Sequence, residues 1–313
     1  MLARRAMMRR SGDRTATDFE AIGLAVAGFT LWVLTDSTMK WIGRYRLPAY
    51  EVVAFLGLFI CLCLAGYAAA RGEMRVLRPA NLRNQLVRSC LDLANNLGVV
   101  IAVWHLPLTL FYILIFSAPM VVSTLAAVFL KEQVNAKKAL ALLAGFAGVV
   151  IAVNPFGRPA GGDWIGYAAC AVCVACFSVS MVWSRVLTRT ETPESLTFFS
   201  GAVMAAAGFG AMAFHGTAPG GLVLAELFVM GVFCAGGSIC FFMAIKHTSA
   251  SNVSQYHYTQ LLTGALISYL VWREIPTVWM ALGGALIVAS GLYIAWVAAR
   301  GGGVAEEVLE HPL

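Results

Sequence analysis

Charge is what this chain has least of. Asp, Glu, Lys and Arg make up 12% of its 313 residues, about half the share a water-soluble domain carries, roughly 25%. A chain this long has ample material for a core but too few charges to clothe that core in water. Its outer surface must therefore face lipid. Catalytic signatures are missing as well. Neither H-E-x-x-H nor G-x-S-x-G occurs, so an intramembrane enzyme finds no recognisable residue set. The absence of a P-loop argues against ATP-driven transport by this chain. Cys170, Cys173 and Cys176 have a metal-like spacing, but no His or carboxylate in that helix completes a site. The eight cysteines read as small apolar residues, and no metal or cofactor is expected. The net charge of +6 comes from basic residues in short connections, so nucleic-acid binding is not required to explain it.

What the sequence has in abundance is long apolar runs. A spanning helix needs roughly 20 mostly apolar residues. Ten such segments can be marked, near 20–40, 49–70, 84–104, 107–130, 138–153, 164–187, 195–214, 222–244, 252–271 and 277–298. Pro and Gly punctuate the connections, as at Pro48, Pro79, Pro193, Pro219 and Pro276. The expected fold is all-α and integral to the membrane. Residues 1–19 read as a disordered basic cytoplasmic tail, because five arginines precede the first run; residues 299–313 read as a C-terminal tail. With the N-terminus inside, 16 of the 22 Lys and Arg residues fall on the cytoplasmic side and 5 on the other. This bias predicts both termini in the cytoplasm.

The chain also repeats itself. At an offset of 142 residues Ala102-x-x-His105 lies on Ala244-x-x-His247, and Lys131-Glu132 lies on Arg273-Glu274. Five spans are an odd number, so two such copies, 20–153 and 164–298, must run in opposite orientations. Inverted repeats of this kind build transporters with a site near the midplane. A structural or channel-like subunit would not need the duplication.

Polar groups inside the apolar runs are costly and persist where they pair or line a wet cavity. Trp32, Asp36 and Lys40 share one face of the first segment at i, i+4, i+8, and the spacing lets Asp36 and Lys40 pair. Arg88, Asp92, Asn95 and Asn96 form a polar stripe on the third segment, with Arg88 and Asp92 spaced for an ion pair. Tyr112 and Phe116 precede Pro119 on the fourth segment and present rings to a flat ligand, while Pro119 predicts a bend. Tyr256, His257 and Gln260 belong to an unusually polar run in the ninth. His257 is the mid-segment group whose ordinary pKa is near neutrality, a candidate proton carrier. Trp32, Asp36, Asn95, Asn96, Tyr112, Phe116, Tyr256, His257 and Gln260 are thus candidate substrate-binding residues. Lys40, Arg88, Asp92 and Pro119 are candidate gating or structural residues.

The stretches Tyr258–Trp296 and Leu106–Val134, with Asp36-x-x-x-Lys40 closing the first helix, resemble the EamA type of the drug/metabolite transporter superfamily. The likeness spans nearly the whole chain and is strongest to the subgroup of riboflavin and S-adenosylmethionine uptake carriers. It implies ten helices as two inverted five-helix repeats, a central cavity and alternating access. It also implies a bacterial inner-membrane setting and places Glu132 and Glu274 on the acidic position ending the fourth and ninth helices, as further gating or structural candidates. His257 stands where such carriers often have a carboxylate. The expected partners are a small-molecule substrate, protons as a candidate coupling ion and the lipid bilayer, with the chain as monomer or homodimer. An aromatic, amide-bearing cavity suits a flavin- or nucleoside-like metabolite first, S-adenosylmethionine second and an aromatic amino acid third.

Overall fold

The computed structural model describes residues 2–118, 120–121, 124–125, 136–154, 162–187, 190–215, 219–247 and 259–301. Among the described residues there are helices and connections and no strand. In hydrocarbon this follows from solvent chemistry, since a helix satisfies its own backbone groups where water cannot. The helices are α1 (Leu2–Ile42), α2 (Ala49–Ala70), α3 (Leu82–His105), α4 (Leu108–Ile115), α5 (Ala136–Val153), α6 (Trp164–Leu187), α7 (Pro193–His215), α8 (Gly221–His247), α9 (Thr259–Trp272) and α10 (Val278–Gly301). Among the described residues six stretches are long and apolar enough to cross a membrane: Ile22–Tyr45, Ala49–Ala70, Leu82–His105, Trp164–Ser184, Pro193–Ala213 and Gly221–Phe241. Shorter apolar helices are Leu143–Val153, Thr259–Trp272 and Val278–Tyr293.

α1 runs from Leu2 to Ile42, so the basic stretch and the first span belong to one helix. Its Ala, Met, Leu and Arg residues are strong helix formers. Proline marks helix starts, where its missing N–H costs nothing: Pro48 precedes α2, Pro107 precedes α4, and Pro193 opens α7. Asn81 caps α3 by accepting the Asn84 N–H at 3.2 Å. α4 stops before the expected bend. At Phe116–Ser117 the backbone tightens, with Ser117 N–H donating to Leu114 O at 3.0 Å. Pro119 itself lies outside the described residues, as do Glu132, Tyr256 and His257.

Helices pair across the two halves of the chain: α1 with α8, α2 with α7, α3 with α6, and α5 with α10. Small residues permit the close crossings, as in membrane bundles generally. At α2–α7 the contact is reciprocal. A Cβ on Gly57 would stand 2.4 Å from Gly201 O, and one on Gly201 would stand 2.9 Å from Gly57 O. Outside the spans, Glu191 staples two connections together. Its carboxylate accepts the N–H groups of Ala80 at 3.0 Å and Asn81 at 2.7 Å. Burial pushes this carboxyl up, but the two N–H donors outweigh it and hold the group below the usual carboxylate range.

Two outcomes are expected. Gly57→Ala should lower the thermal stability of the purified protein by an overpacking cost of about 1–3 kcal/mol, whereas Gly66→Ala, with nothing within 4 Å, should not. Because the folded pKa of Glu191 is lowered, its contribution is present above the unfolded carboxylate value and is lost as pH falls through the folded one. Melting curves of Glu191→Gln should therefore show a flatter acid limb than wild type.

Candidate functional site

A cavity of about 350 Å³ lies among α1, α2, α3, α4, α6, α7, α8 and α9, within the size range of small-molecule sites, about 300–1,000 Å³. The candidates Trp32, Asp36, Arg88, Asp92, Asn95, Asn96, Tyr112 and Gln260 all line it. Four helices, α1, α3, α4 and α9, bring them together, which is the test that spacing along single helices cannot supply.

One end of the cavity is aromatic. The Trp32 ring lies 4.9 Å from that of Phe241, and Phe29 meets both edge-on at 5.8 and 5.6 Å. The Trp32 indole N–H donates to Ser238 Oγ at 3.4 Å. Tyr112 is fully buried except for its ring edge at the cavity, and its hydroxyl donates to Asp36 Oδ2 at 2.8 Å. Gln260 Nε2 donates to Phe29 O at 3.2 Å, tying α9 to α1.

Another part of the wall is a polar network. Arg88 Nη1 pairs with Asp92 Oδ2 at 2.8 Å. Arg88 Nη2 also donates to Leu196 O at 2.6 Å and to Ser200 Oγ at 2.7 Å. Ser200 in turn donates to Asp92 Oδ2, and Ser180 donates to Asp92 Oδ1 at 2.6 Å. The network joins α3 to α6 and α7. Asn96 Nδ2 donates to Asp92 O at 2.8 Å, and Asn95 lines the wall with its carbonyl accepting from Cys173 Sγ at 3.3 Å.

Two expectations need correction. Asp36 and Lys40 do not pair with each other. Lys40 Nζ instead meets Glu274 Oε1 at 2.6 Å and donates to Leu106 O at 3.3 Å. The cause lies in how α9 ends. Arg273 takes a left-handed conformation, φ 57°, and Glu274 N–H folds back to Ser268 O, a helix-ending turn. The Glu274 carboxylate then accepts from Ser268 Oγ and from Leu108 N–H, leaving it aimed at Lys40. This cluster sits one α1 turn beyond Asp36, about 6 Å along the axis. The second correction is Phe116. It is fully buried and stacks on Tyr112, ring centroids 6.5 Å apart, without lining the cavity.

The wall also contains residues that the sequence did not single out: Thr35, Phe177, Ser180, Ser200, Ser238 and Phe241. Their only prior signal is a hydroxyl or ring within an apolar run, which hydroxyls satisfied within their own helix share. Ser37, bonded to Val33 O at 2.7 Å, is one of those.

Residues 20–154 and 164–296 each match the EamA-like transporter family. The chain belongs to that family and is a multi-pass membrane protein of small-metabolite transport. Among its relatives is the S-adenosylmethionine uptake transporter of Rickettsia bellii, 23% identical over 277 residues, covering 87% of this chain and 93% of the relative. The riboflavin transporter of Brucella anthropi is 25% identical over 288 residues, covering 86% and 96%. The pseudopaline exporter CntI of Pseudomonas aeruginosa is 27% identical over 277 residues, covering 85% and 92%. A solved crystal structure 20% identical to the chain shares its fold, with a TM-score of 0.62 over 92% of this chain and 98% of the other.

Asp92→Ala is expected to leave the buried Arg88 guanidinium without its counter-ion. Breaking one partner of a buried pair costs about 3–5 kcal/mol, and the loss should appear as a lower melting temperature. The Arg88→Met/Asp92→Leu double variant should recover most of it, which a double-mutant cycle measures.

Proposed function

We propose that the chain is a secondary carrier that moves a planar aromatic metabolite across the bacterial inner membrane by alternating access. In this reading residues 20–153 and 164–298 are two inverted five-helix halves, both termini are cytoplasmic, and the chain is not an enzyme. The helix pairing supports the two-fold relation. Exchanging the first five helices with the last five turns α1–α8 into α6–α3 and leaves α2–α7 and α5–α10 unchanged, and these are contacts the fold makes. Gly57 and Gly201, reciprocal at one crossing, are 144 residues apart, which is also the offset between the starts of the two family matches, 20 and 164. The Lys and Arg bias supports the orientation.

The observation that carries the function is the wall itself. Trp32, Phe241 and Tyr112 present rings beside Asp36, Asn95, Asn96 and Gln260. Rings suit a flat face, and the amides and carboxylate suit the polar edge of a flavin or nucleoside. The Lys40–Glu274 pair is read as the closed gate beyond the Asp36 end. Riboflavin is the first compound to test. S-adenosylmethionine is the second, favoured by the carboxylate of Asp36 at the aromatic end and consistent with the names of relatives.

Counterflow of labelled riboflavin, S-adenosylmethionine and tryptophan in liposomes holding the purified protein tests this. Accumulation of one compound against its own gradient is the expected result, and no counterflow with any of them would refute the substrate class. Trp32→Ala should weaken binding of the active compound about tenfold, as loss of an aromatic partner does in base-stacking sites. Trp164→Ala, at a position 77% exposed, should leave affinity unchanged.

A further inference from the structure

In the cavity wall, Asp36 differs from the other charged residues in having no counter-ion among the described residues. Lys40, on its own helix, is committed to Glu274 at 2.6 Å. From α3, Arg88 is committed to Asp92 at 2.8 Å. From α4, Asp36 receives the Tyr112 hydroxyl at 2.8 Å, a neutral donor. α6 and α8 present the thiols of Cys173 and Cys234, and α9 presents the uncharged amide of Gln260. A carboxylate drawn from water into low dielectric without a cation is strongly disfavoured and is neutralised instead. Two things can neutralise this one: a proton, or a positively charged group on a bound ligand.

We propose that Asp36 is a single-occupancy exchange site, at which a proton and the cationic group of the substrate compete for one carboxylate. The inference rests on the carrier reading above and selects S-adenosylmethionine over riboflavin within it, because it requires a substrate with a positive charge beside its flat ring system. Loading breaks the carboxyl O–H bond. The proton leaves to cavity water, and the substrate cation takes its place against the carboxylate oxygens. Unloading on the other side returns a proton from water to the same oxygen. Tyr112 holds its hydrogen bond to the carboxylate in both states. Trp32 and Phe241, their rings 4.9 Å apart, line the same cavity as Asp36, and an aromatic face attracts a cation as well as an aromatic plane. One carboxylate cannot be neutralised twice, so substrate movement in one direction is tied to proton movement in the other.

Two measurements test it. The first needs no ligand. Infrared difference spectra of the protein in liposomes, recorded across a pH titration, should show a protonated-carboxyl band that vanishes at high pH and is missing in Asp36→Asn, an isosteric variant that keeps an acceptor for Tyr112. A wild type without such a band, or an Asp36→Asn protein that retains it, overturns the exchange. The second measures binding of S-adenosylmethionine, a sulfonium cation, and of neutral riboflavin to purified protein as a function of pH. One-for-one exchange weakens S-adenosylmethionine about tenfold per pH unit on the acid side of the Asp36 titration, with one proton released to a weakly buffered indicator per molecule bound. Asp36→Asn loses both effects, and riboflavin shows neither. Overturning results are riboflavin binding where S-adenosylmethionine does not, S-adenosylmethionine binding without proton release, and a pH dependence that survives Asp36→Asn but disappears in His257→Gln. Failure of both compounds to bind counts against the planar-aromatic reading, while the infrared band alone then upholds or overturns the titrating site.

Discussion

Hydrocarbon offers no hydrogen bonds, and this structure is organised around that constraint. Polar groups carried into the bundle take their partners from neighbouring helices. Arg88 does so through its two terminal nitrogens, while its buried Nε finds no partner among the described residues. Its guanidinium is 4% exposed, and its satisfaction takes a carboxylate one helical turn away, a carbonyl on α7 and a hydroxyl on α7 that bonds back to the same carboxylate. These demands fix α3 against α6 and α7 more specifically than apolar contact could, since lipid tails compete equally well for an apolar face. The wall of the cavity is therefore also the polar framework of the fold.

The same constraint explains what could be read from the sequence. Hydropathy is a property of single segments, so spans such as 49–70 and 164–187 were legible, and α2 and α6 cover them, whereas α4 ends at Ile115 within the expected 107–130. The ion pair of Arg88 with Asp92 was legible because both partners lie on one helix at i, i+4. Asp36 and Lys40 have the same spacing and were misread for that reason. Local geometry permits their pairing, but two tertiary partners, Tyr112 on α4 and Glu274 past the end of α9, outcompete it. Nothing in a one-dimensional pattern announces that α9 ends in a turn aiming Glu274 at α1.

The hydroxyl and aromatic wall was illegible for a different reason. Ser180 bridges to Asp92, whereas Thr30, Ser37 and Thr38 bond to carbonyls four residues back on their own helix. The two kinds are alike in sequence, and only the helix opposite distinguishes them. Phe241 likewise sits in an apolar run where rings are common. It becomes part of a site through the close crossing of α1 and α8, where a Cβ on Gly28 would meet Gly237 O and Phe241 N at 3.0 Å.

The α2–α7 crossing has a mechanical consequence. Gly57 and Gly201 bring two backbones together with no side chain between them, each helix pressing its carbonyl on the other. Such a contact has no slack, because side chains can swing aside and backbones cannot. The helices can tilt about this point but cannot slide through it. It therefore behaves as a bearing: displacement is small there and grows with distance along either helix. The residues of α7 that face the cavity near the opposite end, Thr197 and Ser200, stand close to the bearing, within four positions of Gly201. Rocking of the two helices would move those hydroxyls little while carrying the far ends of α2 and α7 through the largest arc.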